Sequence, residues 1–371
     1  MHLGKYGKNS VVNKNQIKSL SETYRDKKVF VTGHTGFKGA WLGSWLKLLG
    51  ATVRGYSLPP QTTPSLFTEL KLGNECESIF GDIRQEEKLR KAILDFKPDF
   101  VFHLAAQPLV RESYKDPLGT YETNVLGTAN LLHILRNLEK CTCLLITTDK
   151  VYENREWHYP YRENDRLGGY DPYSSSKACC EILIDSFRNS FFNGDDFENH
   201  QISLASARAG NVIGGGDWSE DRIVPDIVLS LRKEKTILLR NPHAIRPWQH
   251  VLEPLGGYLL LASRLNSEPS KHSMPWNFGP KMEDNISVEN LVQKAINIWG
   301  SGEFKVLREA NQPHEAGLLK LDISQAVNQI DWKPKWNCDV AIEKSINWYK
   351  CFDMDEDAKS LIYSDIEAYC K

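Results

Sequence analysis

No stretch of this chain approaches the roughly 20 uninterrupted apolar residues that cross a bilayer, so no membrane span is expected. No two of its eight cysteines have C-x-x-C spacing, which argues against a zinc ribbon or a redox dithiol. Cys76, Cys141, Cys143, Cys179, Cys180, Cys338, Cys351 and Cys370 are expected instead to be reduced, mostly buried thiols of a cytoplasmic protein. Neither sign of charge is in surplus. The net charge is −2, so nothing electrostatic recommends nucleic acid or an anionic membrane as partner. Internal repeats and low-complexity tracts are missing. Residues 1–26 lack apolar periodicity and the apolar centre of a targeting signal, and read as a polar N-terminal extension. What remains is ordinary globular composition: 371 residues, 41% hydrophobic and 25% charged, enough for one large or two medium domains.

The informative stretch is Val29 to Gly39. An apolar β-prone run, Val29–Val31, ends in Gly33, Gly36 and Gly39. A helical pattern of Trp41, Leu42, Trp45, Leu46 and Leu49 follows. Strand, glycine turn and amphipathic helix together form a pyrophosphate site. The first glycine permits the turn, the second admits backbone N–H groups to the phosphates, and the third lets helix and strand pack closely. The spacing is G-x-x-G-x-x-G, and its context favours dinucleotide binding over a plain strand–helix turn.

From Lys27 strands and helices alternate. Strands are expected at 52–56, 78–80, 100–104, 144–147 and 202–207, and helices at 86–96, 117–137 and 172–192. Repeated βαβ units imply a parallel sheet covered on both faces, with ligands at the carboxyl ends of its strands. After Arg208 the rhythm breaks. A glycine-rich loop spans 211–218, and further helices are expected at 225–231, 252–265, 288–299 and 340–349. The chain therefore reads as an α/β protein: a Rossmann-type doubly wound parallel sheet with a smaller, mixed α/β substrate region toward the C-terminus. The expected division is an extension at 1–26, a nucleotide-binding domain at 27–208 to which later segments return, a mainly substrate-binding region at 209–350, and a tail at 351–371.

Two constellations carry chemistry. Tyr173 and Lys177 are four apart on an expected helix and share a face. A free phenol has a pKa near ~10 and is a weak base at neutral pH; a nearby ammonium favours the phenolate. Such a tyrosine can take a sugar hydroxyl proton as hydride leaves its carbon. Thr147, Thr148, Asp149 and Lys150 end the fifth strand, where the ligand crevice belongs. Consecutive strand residues point to opposite faces, so Thr148, Asp149 and Lys150 serve one substrate only if the chain leaves strand geometry there. The chain is predicted to do so.

With Gly81-Asp82, His103-Leu104-Ala105-Ala106-Gln107 and Asn124-Val-x-Gly127-Thr128, these motifs resemble the extended short-chain dehydrogenase/reductase family. Asp149 after Thr148 narrows the resemblance to its sugar-nucleotide 4,6-dehydratases. Arg208–Trp218, Arg246–His250 and Tyr152–Trp157 are similar to the branch acting on CDP-glucose. The likeness runs from about residue 26 to 350. It implies an NAD-dependent hydro-lyase of deoxysugar and surface-polysaccharide precursor synthesis, with CDP-glucose as partner and a homo-oligomeric state, dimer or tetramer. Tyr173 would take the C4 hydroxyl proton while NAD accepts the C4 hydride. Water would leave across C5–C6 with Asp149 as general acid, and the hydride would return to C6. Thr148 would hydrogen-bond the same sugar oxygen as Tyr173, and Lys177 would assist. The resemblance also marks Gly33, Thr35, Gly36, Phe37, Lys38, Gly39, Ser57, Asp82, Ile83, Leu104, Ala105, Ala106, Asn124, Tyr173 and Lys177 as cofactor contacts.

Two positions depart from the family pattern. Relatives acting on dTDP-glucose carry Glu where this chain has Lys150. The amine is assigned to the C5 step, either as a base of depressed pKa or as a cation beside the enolate. The second strand ends without the acid that meets an NAD ribose. Ser57 can take that contact, while Arg54 leaves a 2′-phosphate conceivable. The substrate diphosphate is assigned to Arg246, with Arg222, Asn211 and Arg111. His250, His314 and Glu315 form no recognised ligand set, so no metal is expected. Trp157, Trp218 and Trp248 can stack on a ligand or simply pack. Two rival readings are a nucleotide-sugar 4-epimerase and a non-catalytic NAD-binding sensor.

Overall fold

Val29, Phe30 and Val31 are fully buried, as strand residues must be when helices cover both faces of a sheet. They lie in β1, Lys28–Thr32, of the computed structural model, which describes residues 20–284, 286–307 and 318–371. The sheet continues through β2 (Thr52–Ser57), β3 (Glu77–Phe80), β4 (Phe100–His103), β5 (Cys141–Ile146), β6 (Ile202–Ala209) and β7 (Pro275–Phe278). Its order is β7-β6-β5-β4-β1-β2-β3, and every pairing is parallel. The order reverses between β1 and β4, the switch point at which such sheets open a crevice.

Side-chain alternation divides the core into two layers. Val29, Val31, Phe100, Phe102, Leu144, Ile146, Ala205 and Ala207 point to one layer. Phe30, Val101, Cys143, Leu145 and Leu204 point to the other. The first layer packs on α1 (Phe37–Leu48), whose Trp41, Leu42, Trp45 and Leu46 are buried. The second packs on α2 (Glu86–Leu94), on α4 and on α5. Here α3 (Pro117–Tyr121) passes through a π turn, Glu122–Leu126, into α4 (Gly127–Leu135). Helix α5 is Pro172–Ser190, started by Asp171, whose side chain accepts from the Ser174 N–H. Such a cap occupies a donor the first turn cannot satisfy.

Beyond β6 come α6 (Ile223–Arg232), α7 (Leu252–Ser267), α8 (Val288–Trp299), α9 (Cys338–Asp353) and α10 (Ala358–Cys370). Apart from β7, the strands of this region are two or three residues long. Helix α7 packs back on β5 and β6. The eight cysteines are unpaired, and five are buried.

Three expectations need correcting. The fifth strand starts at Cys141, because the alternating Cys141-Thr142-Cys143 run is wholly buried. Residues 351–371 are not a loose tail: α10 buries Ile362, Ile366 and Tyr369, and the Tyr369 ring lies 5.7 Å from Trp45. The extension also ends earlier than position 26. Tyr24 is buried, its ring is 5.0 Å from Phe100, and its hydroxyl donates to the Leu259 carbonyl at 2.7 Å. Residues 1–19 lie outside the described residues.

Glu253, at the start of α7, ties α10 to the core. Its carboxyl accepts the Trp336 N–H at 2.7 Å and the Tyr369 hydroxyl at 3.0 Å. Burial pushes its pKa from 4.5 to about 7, against the pull of the Trp336 and Lys335 amides. The folded protein therefore holds this proton more tightly than the unfolded chain. The resulting stabilisation is complete below 4.5 and is lost as pH rises through about 7. Urea unfolding should show stability falling between about pH 5 and about pH 8, and Glu253→Gln should flatten that fall. An unchanged slope in the variant would mean that this carboxyl titrates normally.

Candidate active site

A crevice of about 2000 Å³ opens at the carboxyl ends of the strands. Single small-molecule sites are typically ~300–1,000 Å³, so this space accommodates a dinucleotide and a second large ligand together. The glycine turn forms one end. A Cβ on Gly33 would lie 2.8 Å from the Ala105 amide nitrogen, and one on Gly39 would lie 2.1 Å from the Gly33 carbonyl oxygen. Gly33 also has φ +76°. Only glycine lets α1 start this close to β1 and β4, and its N-terminus then faces the crevice. These residues fit a pyrophosphate.

Gly33, Thr35, Gly36, Phe37, Lys38, Gly39, Ser57, Asp82, Ile83, Leu104, Ala105, Ala106, Tyr173 and Lys177 all line this crevice. Asn124 does not. Its side chain donates to Ser176 Oγ at 2.8 Å and accepts the Gln107 N–H at 2.8 Å. It holds the turn after β4 to α5 and has no free polar atom for a cofactor. At the end of β2, Ser57 Oγ and Thr35 Oγ1 are 2.8 Å apart. Arg54 is turned away: it pairs with Glu77 at 2.7 Å and covers the Phe96 ring. The cation that left a 2′-phosphate conceivable is thus engaged on the outer side of the sheet.

The chain leaves strand geometry where the chemistry requires it. Strand β5 stops at Ile146. Thr148 then caps a 3₁₀ turn, Asp149–Val151, and Thr148, Asp149 and Lys150 all reach the crevice. Thr148 Oγ1 donates to Asp149 Oδ1 at 2.9 Å. Asp149 is 4% exposed, and burial raises its pKa against Lys150, Thr148, Arg246 and Lys38. That is the direction a general acid needs.

Tyr173 is buried beside this turn. Its pKa is raised, because burial and the charge of Asp149 outweigh the hydrogen bond with Thr148 and the charge of Arg222. Lys177 Nζ donates to the Ile146 carbonyl at 3.3 Å, and the charge of Arg222 also bears on the phenol. Arg222 is held by Asp217 at 2.7 Å. Lys38 reaches further into the site than a cofactor contact alone would. Burial and the charges of Arg222 and Lys177 push its pKa down to about 8, with Asp149 opposing.

Arg111, Asn211 and Arg246 also line the crevice. Arg111 and Arg240 both pair with Asp221, at 3.3 Å and 3.2 Å; Arg240 was not anticipated, since nothing local distinguishes it from a surface arginine. His250 lies between the rings of Trp41 and Trp336 and away from the crevice, while His314 and Glu315 lie outside the described residues. Trp218 packs on Trp348, Tyr349 and Phe352, and Trp157 lies against Tyr161.

A doubly wound sheet whose switch-point crevice holds a glycine turn and a Tyr/Lys pair defines a nucleotide-dependent enzyme of the extended short-chain dehydrogenase/reductase type. The chain belongs to the GDP-mannose 4,6 dehydratase family, whose sequence profile matches residues 30–345. It is 51% identical to the CDP-glucose 4,6-dehydratase of Salmonella typhimurium, over 90% of this chain and 93% of that protein. Its fold is similar to that of the dTDP-glucose 4,6-dehydratase of Bacillus anthracis in complex with NAD. The TM-score is 0.73 at 18% identity, covering 87% of this chain and 96% of the other. It is also similar to the Streptomyces venezuelae dTDP-glucose 4,6-dehydratase, at TM-score 0.74 and 18% identity over 87% and 97% of the two chains.

The closeness of Gly39 to Gly33 makes a direct prediction. Gly39→Ala places a methyl group against backbone that cannot rotate away, so it should cost about 3 kcal/mol. The thermal midpoint of the purified variant should fall, and most of its bound dinucleotide should be lost. Full cofactor occupancy would show that α1 tolerates displacement from the turn.

Proposed function

We propose that this enzyme dehydrates CDP-D-glucose to CDP-4-keto-6-deoxy-D-glucose, with NAD as a resident cofactor. The observation that carries the reading is the shared site of Tyr173, Thr148 and Asp149 in one crevice, with Asp149 buried and raised toward its neutral form. The 51% identity to a CDP-glucose 4,6-dehydratase supports the choice of sugar nucleotide.

Bound NAD would take the C4 hydride and return it to C6. The chain's own groups do the rest. Tyr173, hydrogen-bonded to Thr148, takes the C4 hydroxyl proton, and the ketone so formed acidifies C5–H. Lys150 serves the C5 step from the same 3₁₀ turn. Asp149 gives its proton to the departing C6 hydroxyl, and its burial keeps that proton available. Because the protonated form is the active one, the elimination step should slow as pH rises through the raised pKa of Asp149. Arg246, Arg222, Asn211 and Arg111 hold the diphosphate side. A 4-epimerase would need Tyr173, Lys177 and Thr148 but has no use for an acid at 149.

The reading includes a soluble, cytoplasmic homo-oligomer. Among the described residues no helix is long and apolar enough to cross a membrane. Leu118, Leu126 and Ile182 leave an exposed apolar surface on α3, the π turn that follows it and the adjoining α5, which a second copy of the chain can cover.

Offered CDP-glucose, dTDP-glucose and GDP-mannose in deuterated solvent, the enzyme should turn over CDP-glucose best. The 4-keto-6-deoxy product should carry solvent deuterium at C5. A C4 epimer with its C6 oxygen retained would make it an epimerase. Lys150→Ala and Asp149→Asn should both still reduce the bound cofactor on adding substrate. Product formation should then fall by about 10²- to 10⁴-fold, the usual scale for general acid–base groups. Full dehydration by either variant would remove that residue from the mechanism.

A further inference from the structure

Glu181 is a buried carboxylate that the mechanism above does not use. It lies on α5 one turn beyond Lys177 and two turns beyond Tyr173, and is 2% exposed. Both of its oxygens are engaged. Oε1 accepts the Thr147 hydroxyl at 2.5 Å, and Oε2 accepts the Ser206 hydroxyl at 2.8 Å. The Arg208 guanidinium pairs with Oε2 at 2.8 Å. Arg208 donates on to the Tyr152 hydroxyl at 2.8 Å and the Glu163 carbonyl at 2.9 Å. Tyr152 in turn donates to Asn277 Oδ1 at 2.7 Å. One carboxylate therefore joins α5 to β5, β6 and β7 directly beneath the catalytic turn.

Thr147 and Thr148 are consecutive and point to opposite sides. Thr147 goes down to Glu181; Thr148 goes up to Asp149 and Tyr173. Fixing the first fixes the direction of the second. The charges point the same way, since Glu181 follows Lys177 by one helical turn on α5. Lys177 is 6% exposed, and its ammonium donates to the Ile146 carbonyl. Burial pulls the lysine toward its neutral form, and Cys180 and Glu181 are the groups that oppose this. The Cys180 thiol is itself pushed up by burial, so it stays neutral and supplies no charge. Burial also pushes Glu181 upward, but Arg208 and the Thr147 and Ser206 hydroxyls outweigh it and keep the carboxylate ionised.

We propose that Glu181, locked by Arg208, is a positioning residue for this reaction: it aims Thr148 through Thr147 and is the counter-ion of the Lys177 ammonium. The proposal rests on the reading of Tyr173 and Lys177 as the pair that works at the sugar's C4.

Removing Glu181 alone strands Arg208 in the interior and risks misfolding, whereas removing both charges is often tolerated. The test variant is therefore Glu181→Gln with Arg208→Gln, loaded with NAD and compared with wild type. Cofactor reduction on mixing with CDP-glucose is followed by nicotinamide absorbance across neutral to alkaline pH. The double variant should fold and should bind CDP-glucose with KM within about twofold of wild type. Its reduction rate should fall about tenfold, and the alkaline loss of rate should begin about one pH unit lower, as expected when a charged partner is lost. A wild-type rate and pH profile would overturn the proposal. So would a uniform loss at every pH, which is what a purely structural role produces. If wild-type protein reduces its cofactor with no nucleotide hexose, the functional reading fails separately. Glu181 is then judged by NAD retention, because Lys177 lines the cofactor cleft whatever the substrate. Weaker retention by the double variant at alkaline pH alone upholds the counter-ion role, and equal retention overturns it.

Discussion

The arrangement at the end of β5 depends on a parity constraint. A strand buried on both faces must send successive side chains to opposite sides, and in β5 Leu145 and Ile146 obey this by joining different core layers. Thr147 and Thr148 inherit the alternation. It places one hydroxyl under the site, on Glu181, and the other within it, on Asp149. Only then does the chain turn into a 3₁₀ helix, which frees Asp149 and Lys150 from the alternation and brings them to the same crevice. A regular strand continued by one more residue would point Asp149 away from the Tyr173 phenol.

Burial makes this geometry chemically useful. Lys177, Asp149 and Glu181 are buried beside the crevice, whereas the Arg222 side chain is 32% exposed. Desolvation disfavours the charged form of the buried three. Their partners decide which stay charged. Glu181 has a guanidinium and two hydroxyls and remains an anion. Asp149 has one hydroxyl and more distant cations, so burial prevails and it tends toward the acid form. Two carboxyl groups near the carboxyl end of β5 thus take opposite roles because of their surroundings.

The glycine turn and the parallel sheet covered on both faces were legible in the chain. Gly33, Gly36 and Gly39 carry their reason locally, since a close backbone approach excludes a Cβ wherever it occurs. The alternation of β and α patterns gave the sheet for the same reason: periodicity is a property of neighbours in sequence. Motif membership does not reveal which way the Asn124 side chain faces, because its partners, Gln107 and Ser176, come from other elements. The C-terminal helix was read as a tail because its anchor, Glu253, lies over a hundred residues away from Tyr369. Glu181 had a local clue, its place one turn after Lys177, but its meaning required Arg208 from β6.

By itself, then, the chain determined what depends on near neighbours: the turn that accepts a pyrophosphate, the helix face shared by Tyr173 and Lys177, and the need to leave strand geometry after Thr147. Tertiary structure alone decided which charges meet. It brought the charge of Arg222 to bear on the phenol, turned Arg54 out to Glu77, and paired Glu181 with Arg208 under the site. The physical reason is that backbone periodicity acts over a few residues, whereas electrostatic partners and desolvation come from segments that only the packed sheet brings together.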